Sequence, residues 1–128
     1  MTVINCTQHL TTEDQQKDNI VDLPEEFRCH IQQLLSFDTL PSRQTLGNRA
    51  ELVVNELLAY VSQWENIPNL HGKYVMIGGA PFFMPYLHNA LVEVGAVPVY
   101  AFSQRKSVDE VVDGTVVKRS VFCYEGLV

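Results

Sequence analysis

Residues 75–103 read VMIGGAPFFMPYLHNALVEVGAVPVYAFS and decide the fold class of the chain. An apolar run ends at two glycines, an amphipathic stretch follows over 81–94, and a further glycine separates it from a second apolar run over 97–103. Continuous apolar runs are typical of strands buried in a parallel sheet, and a glycine after a helical pattern is typical of a helix C-terminus. The spacing therefore predicts a strand–helix–strand unit over 74–103.

The segments that precede this unit extend the same pattern. The stretches 3–6 and 19–24 are apolar enough for short strands, and polar, cap-forming residues with a short helical stretch lie between them. Apolar residues recur every three to four positions over 24–36 and again from a Ser42 cap through Trp64. We therefore expect two helices there, the second of them long.

The segment that follows the unit predicts a different kind of structure. Asp113-Gly114 lies between the β-rich runs 107–112 and 115–124, and Asp-Gly is typical of a two-residue hairpin turn. The expected fold class is α/β and Rossmann-like, with a mostly parallel sheet flanked by helices and a C-terminal β-hairpin. We expect one domain over 1–128.

Composition narrows the class of protein. Of 128 residues, 46% are apolar and 19% are charged, as is usual for a folded globular domain. The formal net charge of −6 argues against a protein that coats duplex nucleic acid, since such binding needs many Lys and Arg side chains. No run approaches the roughly 20 apolar residues of a membrane span, and the first residues lack a signal-peptide pattern. We expect a cytoplasmic protein with no membrane contact.

Cysteine and histidine spacing bears on metals and disulfides. Three cysteines are scattered without any CxxC spacing: Cys6, Cys29 and Cys123. This arrangement favours neither a disulfide framework nor a zinc site, so we expect buried thiols. Three histidines show no ligand spacing and are interpreted as structural or exposed: His30, His71 and His88. We expect neither a metal nor a cofactor.

Three polar loops are expected at one rim of the sheet. Ligands of open parallel sheets bind beyond the carboxyl ends of the strands. TQHLT (7–11), GGAP (78–81) and SQRKS (103–107) would each follow such an end. Hydroxyls, glycine backbone and cations suit a phosphate. The candidate ligand-binding residues are Thr7, Gln8, Gly78, Gly79, Ala80, Ser103 and Ser107.

Within these loops three side chains are candidates for catalysis. His9 has an intrinsic pKa near about 6.5 and can move protons. Arg105 and Lys106 could neutralise phosphate charge, Arg105 with a bidentate fork. Each loop also has a purely structural interpretation: GGAP as a tight turn, SQRKS as a solvated turn, and TQHLT as an exposed polar loop in which Thr11 or Thr12 caps a helix. GGAP matches neither the dinucleotide fingerprint nor the P-loop.

Several short motifs together resemble one known group of proteins. They are His9-Leu10-Thr11 with Gln15 after the first strand, VDLPEE (21–26), the glycine turn after the third strand, and Gly95 to Ala101 leading into the Ser/Arg/Lys segment. The chain resembles small Rossmann-like CRISPR-associated proteins, single-domain relatives of the CARF and ring nuclease group.

The resemblance implies a homodimer that binds cyclic oligoadenylate, the second messenger of type III CRISPR immunity, and some members of the group cleave it. Cleavage in such a ring nuclease is metal-independent, because the ribose 2′-hydroxyl attacks the adjacent phosphate. The residues implied are the rim residues named above. No single motif in this chain marks a catalytic residue, so binding and cleavage are separate expectations.

Two other functions remain open at this point. One is a noncatalytic homo-oligomeric interaction protein, in which the hairpin edge 115–124 pairs with another chain by strand addition. The other is a small enzyme that acts on a phosphorylated metabolite, with His9 as general base. All three functions are compatible with the α/β class, since fold alone does not determine function.

Overall fold

The computed structural model describes residues 2–128 and contains a parallel sheet, four helices and a hairpin. The parallel strands are β1 (Val3–Cys6), β2 (Ile20–Asp22), β3 (Tyr74–Ile77) and β4 (Val97–Val99). The helices are α1 (Glu13–Lys17), α2 (Glu25–Leu34), α3 (Arg43–Trp64) and α4 (Met84–Glu93). The antiparallel hairpin consists of β5 (Ala101–Val112) and β6 (Thr115–Leu127). The predicted fold class is confirmed.

The sheet has the strand order β2-β1-β3-β4, and all of its pairings are parallel. From the central strand β1, the chain first adds β2 on one side and later adds β3 and β4 on the other. The order of strands therefore reverses between β1 and β3. In open α/β sheets such a reversal is the topological switch point, where the loops on either side diverge and leave a crevice.

The two faces of the sheet are covered differently. One face packs under α2, α3 and α4 and holds most of the buried apolar residues, among them Ile4, Cys6, Val75 and Ile77. The other face is a smaller cluster of Val3, Ile20, Met76 and Val99, against which Tyr74 and two residues of β6, Tyr124 and Leu127, pack. Helix α1 buries no residue. The base of the hairpin thus covers part of this second face, which in many α/β folds is covered by helices.

A hydrogen bond fixes this hairpin base to α1. The Tyr124 hydroxyl donates to the Asp18 carboxylate at 2.7 Å, just after α1. Burial first, and then the bond to Asp18, raise the pKa of Tyr124 to about 12. The backbone amides of Tyr100 and Val128 also donate to each other's carbonyl oxygens, at 2.9 and 2.8 Å. The bond to Asp18 thus ties β6 to the end of α1, and the Tyr100–Val128 pair joins the two ends of the hairpin to each other.

The start of α4 differs from the expected one. The helix predicted from Pro81 begins at Met84, because Pro81–Phe83 form a turn that buries the Phe83 ring in the core. Pro85 instead occupies the first helical turn, where its missing N–H is not needed. The Ser42 cap of α3 is confirmed, since its hydroxyl accepts from the Thr45 amide at 3.1 Å.

The larger difference concerns SQRKS. The strand predicted over 97–103 ends at Val99, and after Tyr100 the chain enters β5, which continues without a break to Val112. SQRKS therefore lies in the middle of an exposed strand, and the prediction of a rim loop was wrong. The reason is long-range pairing: β6 provides backbone partners for each of these residues, from Tyr124 to Ser120.

The cysteines agree only in part with the expectation of buried thiols. Cys6 is fully buried under the helices, and burial raises the pKa of its thiol to about 12. Cys29 is exposed on α2 and Cys123 is half-buried on β6, so the expectation was wrong for Cys29. Within residues 2–128, no helix has the length and apolar character needed to cross a membrane.

Candidate functional site

A cleft of about 340 Å³ opens at the carboxyl ends of β1 and β3, at the switch point of the sheet. It is lined by Thr7, Gln8, His9, Leu10, Gln15, Met76, Ile77, Gly78, Gly79, Tyr100 and Ala101. The structure thus brings together five residues predicted from two separate loops: Thr7, Gln8, His9, Gly78 and Gly79. Apart from the titratable His9, none of the lining residues carries a positive charge.

The buried side chain of Asn5 organises the loop after β1. Its amide nitrogen donates to the His9 carbonyl at 2.7 Å and to the Asp22 carboxylate at 2.9 Å. Its amide oxygen accepts from the Thr7 backbone N–H at 3.1 Å and from the Thr7 hydroxyl at 2.7 Å. Asn5 is the one buried polar residue of the described chain. It closes the loop into a compact turn and links it to β2.

Sequence reasoning missed Asn5, because it lies within an apolar strand and looks like an ordinary strand residue there. Its partner Asp22 was missed for the same reason. The Asp22 carboxylate also accepts from the backbone N–H and the hydroxyl of Thr11, at 3.1 and 3.0 Å. The only signal in the sequence is a polar residue in the last two positions of each of two neighbouring strands.

Gln8 holds the loop from the side rather than facing a ligand with its amide group. Its amide nitrogen donates to the Ser36 hydroxyl at 2.8 Å, beyond the end of α2. In return, the Gln32 side chain donates to the Gln8 carbonyl at 3.2 Å. His9 itself is exposed at the edge of the cleft. The Thr12 cap of α1, which includes a reciprocal bond with Gln15, confirms the capping interpretation for this segment.

The glycine pair forms the opposite wall, and the two glycines have different requirements. Gly79 has φ of +148°, a backbone conformation that side chains rarely adopt. Gly78 has no such constraint, and a Cβ atom there would lie 3.6 Å from the Thr7 methyl carbon, an ordinary contact. The backbone conformation of Gly79 therefore requires glycine, whereas a side chain at Gly78 would start in contact with Thr7 at the wall of the cleft. Ala80, also a predicted ligand residue, packs against the core instead of lining the cleft.

Tyr100 adds an aromatic hydroxyl that the sequence did not reveal. Its hydroxyl oxygen lies 2.9 Å from His88 Nδ1, and the two rings stack with centroids 6.0 Å apart. The His88 tautomer determines which group donates; with Nδ1–H as donor, the tyrosine O–H is free to donate to a ligand. Burial raises the pKa of Tyr100. His88, which was predicted to be structural or exposed, is half-buried and supports a cleft residue.

The four residues predicted from SQRKS do not line this cleft. Ser103, Arg105 and Ser107 lie on one face of β5, and Lys106 lies on the other. The Arg105 guanidinium lies over the Phe122 ring at 5.0 Å, and Lys106 pairs with Glu125 at 3.0 Å. At roughly 3.4 Å per strand residue, Arg105 lies about 14 Å along β5 from Ala101. The described residues also contain no cluster of three or more His, Cys, Asp or Glu side chains able to hold a metal.

These features define the chain as an α/β protein with a switch-point cleft and an extended C-terminal hairpin. By sequence it belongs to the Uncharacterized protein MJ1673 family, which matches it over residues 1–128. None of the curated proteins and none of the solved structures matches the chain.

Proposed function

We propose that the switch-point cleft binds a phosphate-bearing nucleotide, and that this ligand is a cyclic oligoadenylate of type III CRISPR signalling in the cytoplasm. The observation that carries the proposal is the position of the cleft, where the loop after β1 and the glycines after β3 meet. Ligands of open α/β sheets bind at this place. The ligand class comes from the resemblance to CARF and ring nuclease relatives.

The chemistry of the lining suits a nucleotide. Gly78 and Gly79 present bare backbone, which a ribose or a phosphate can approach closely. The Tyr100 ring offers a face on which a base can stack, an interaction of about 1 to 3 kcal/mol. Because the cleft has no Lys or Arg of its own, phosphate contacts would come from hydroxyls, the His9 imidazole and backbone N–H groups.

The same cleft could support cleavage without a metal. A ribose 2′-oxygen attacks the adjacent phosphorus, the bond from phosphorus to the 5′-oxygen breaks, and a 2′,3′-cyclic phosphate forms. The 2′-hydroxyl proton needs an acceptor, and the departing 5′-oxygen needs a proton. His9 at the edge of the cleft can serve as the acceptor, and the Tyr100–His88 pair can provide the proton. The ring nuclease part of the proposal rests on these three side chains.

The first experiment incubates the purified protein with cyclic tetra-adenylate and with other ring sizes. Titration calorimetry measures binding, and chromatography detects a linear product. We expect saturable binding and conversion to linear oligoadenylate. Failure to bind any ring size would overturn the proposed ligand. Binding without a linear product would leave the binding function standing and overturn the cleavage step.

Gly78→Leu tests whether the ligand occupies this cleft. The new side chain would start 3.6 Å from the Thr7 methyl carbon and occupy part of the cleft, and we expect the Kd for cyclic tetra-adenylate to rise by about tenfold or more. Gly47→Leu on α3 is the matched control, because a Cβ atom there meets nothing within 4 Å and leucine favours a helix. Equal affinity in both variants would place the ligand elsewhere.

A further inference from the structure

The hairpin extends beyond the body of the protein as an arm, defined here as residues 104–122. Its β5 residues are all exposed, although the arm carries several large apolar side chains. The exposed ones are Val108, Val111, Val112, Val116, Val117 and Phe122, of which Val111 and Phe122 are each 71% exposed. A two-stranded ribbon is marginally stable in water, whereas three or more strands can stabilise one another. The arm has only these two strands, because β5 and β6 form a sheet of their own. A further strand from another chain would therefore stabilise it.

The turn geometry determines which backbone groups face outward. Asp113 and Gly114 both have positive φ, +51° and +76°, as a two-residue type I′ turn requires. Val112 and Thr115 on either side then form a hydrogen-bonded pair, and bonded pairs alternate along the ladder. Ser107 and Ser120 face each other across the hairpin as a non-bonded pair. The N–H of Ser107 thus points to the free edge of β5, and that of Ser120 to the free edge of β6.

The charges on the two edges are different. Along β5 the sequence RKSVDE places Arg105 and Lys106 before Ser107, and Asp109 and Glu110 after it. Two antiparallel copies of this stretch would set cations beside acids. On β6, residues 115–124 contain Lys118 and Arg119 and no acid, so pairing of two β6 edges would offer these cations no partner. Charge complementarity therefore favours the β5 edge for self-association.

We propose that two copies of this chain pair edge to edge through β5, antiparallel about a two-fold axis at Ser107, so that their hairpins form one four-stranded sheet. In this register Arg105 lies opposite the partner's Asp109, and Lys106 lies diagonally beside the partner's Glu110. Phe102 lies opposite the partner's Val112, which covers two exposed apolar side chains. Side chains that meet across the interface lie on the same face of the four-stranded sheet, as a two-fold axis perpendicular to that sheet requires.

The charges inside each hairpin fit the same arrangement. Asp109 lies directly opposite Lys118 of its own β6, and the Glu110 carboxylate lies 3.6 Å from the Arg119 guanidinium. With the partner in place, each of these acids lies between a cation of its own hairpin and a cation of the other. The assembly needs no nucleotide, so a test of it is independent of the function proposed for the cleft.

A pair of proline variants of the full chain tests the proposal. Ser107→Pro removes an N–H from the β5 edge, and Ser120→Pro removes the equivalent N–H from the β6 edge, each without loss of a hairpin bond. By analytical ultracentrifugation without nucleotide, we expect the wild type to have twice the chain mass of 14.5 kDa. Ser107→Pro should halve the measured mass, and Ser120→Pro should leave it unchanged. A monomeric wild type, or the opposite pattern in the variants, would overturn the β5 interface.

Cross-linking provides a second measurement that does not depend on proline. In a Cys29→Ser, Cys123→Ser background, Ser107→Cys places a thiol on the axis. Directly opposed residues in a bonded antiparallel pair have Cα atoms about 5.5 Å apart, within the range of a disulfide. We expect mild oxidation to link Ser107→Cys into a covalent dimer and to leave Ser120→Cys monomeric on a denaturing gel. Absence of the Ser107→Cys cross-link would contradict the register.

Discussion

Asn5→Ala is expected to lower the free energy of unfolding by about 3 kcal/mol and to remove ligand binding at the cleft. The Asn5 side chain makes four hydrogen bonds, with two groups of Thr7, the His9 carbonyl and the Asp22 carboxylate. Alanine would leave these partners without their bonds in a region of low exposure, and buried polar groups without partners are costly. The loop that forms one wall of the cleft would lose its closed form.

Urea denaturation of the wild type and of Asn5→Ala measures this loss of stability. The matched control is Asn55→Ala, since Asn55 is exposed on α3 and the same side chain is removed. We expect the control to stay within about 0.5 kcal/mol of the wild type, as is usual at surface positions. A similar small effect in Asn5→Ala would show that the loop does not depend on this side chain.

Tyr100→Phe is expected to reduce cleavage of cyclic tetra-adenylate by about 100-fold while ligand affinity changes little. The variant removes the hydroxyl that lies 2.9 Å from His88 Nδ1 and keeps the ring that lines the cleft. Base stacking on the ring would persist, and proton donation to the departing oxygen would be lost. Single-turnover cleavage, followed by chromatography and set beside titration calorimetry, separates the two effects.

Tyr86→Phe provides the control for this experiment. Tyr86 lies on α4, packs against the core and is absent from the cleft lining. We expect wild-type cleavage from this variant and a melting temperature close to that of Tyr100→Phe. Equal cleavage rates in both variants, or no cleavage by the wild type, would exclude the Tyr100–His88 pair as the proton donor.

The sequence predicted the parallel part of the fold well because its signals are local. Apolar runs, the glycine after α4 and the Ser42 cap each lie within a few residues of the element they define. The two walls of the cleft were also predictable, since the carboxyl ends of parallel strands must share one rim. Whether those walls hold a nucleotide stays a prediction.

The remaining features depend on contacts between distant residues. SQRKS contains hydroxyls and cations typical of a loop, and its strand conformation results from pairing with residues 120–124. The Tyr100–His88 bond joins a residue between β4 and β5 to a residue of α4, and no spacing rule connects them. The role of Asn5 likewise depends on partners that are distant in sequence or outside its strand, Asp22 on β2 and the His9 carbonyl in the loop.

The two-residue turn at Asp113–Gly114 has a consequence for how the arm can change in evolution. Side chains alternate between faces with a period of two, so a single inserted or deleted residue in β5 would transfer every side chain beyond it to the opposite face. Matched changes of two residues in each strand would lengthen or shorten the arm and keep its faces intact. The strands of homologous arms should therefore differ in length by even numbers of residues.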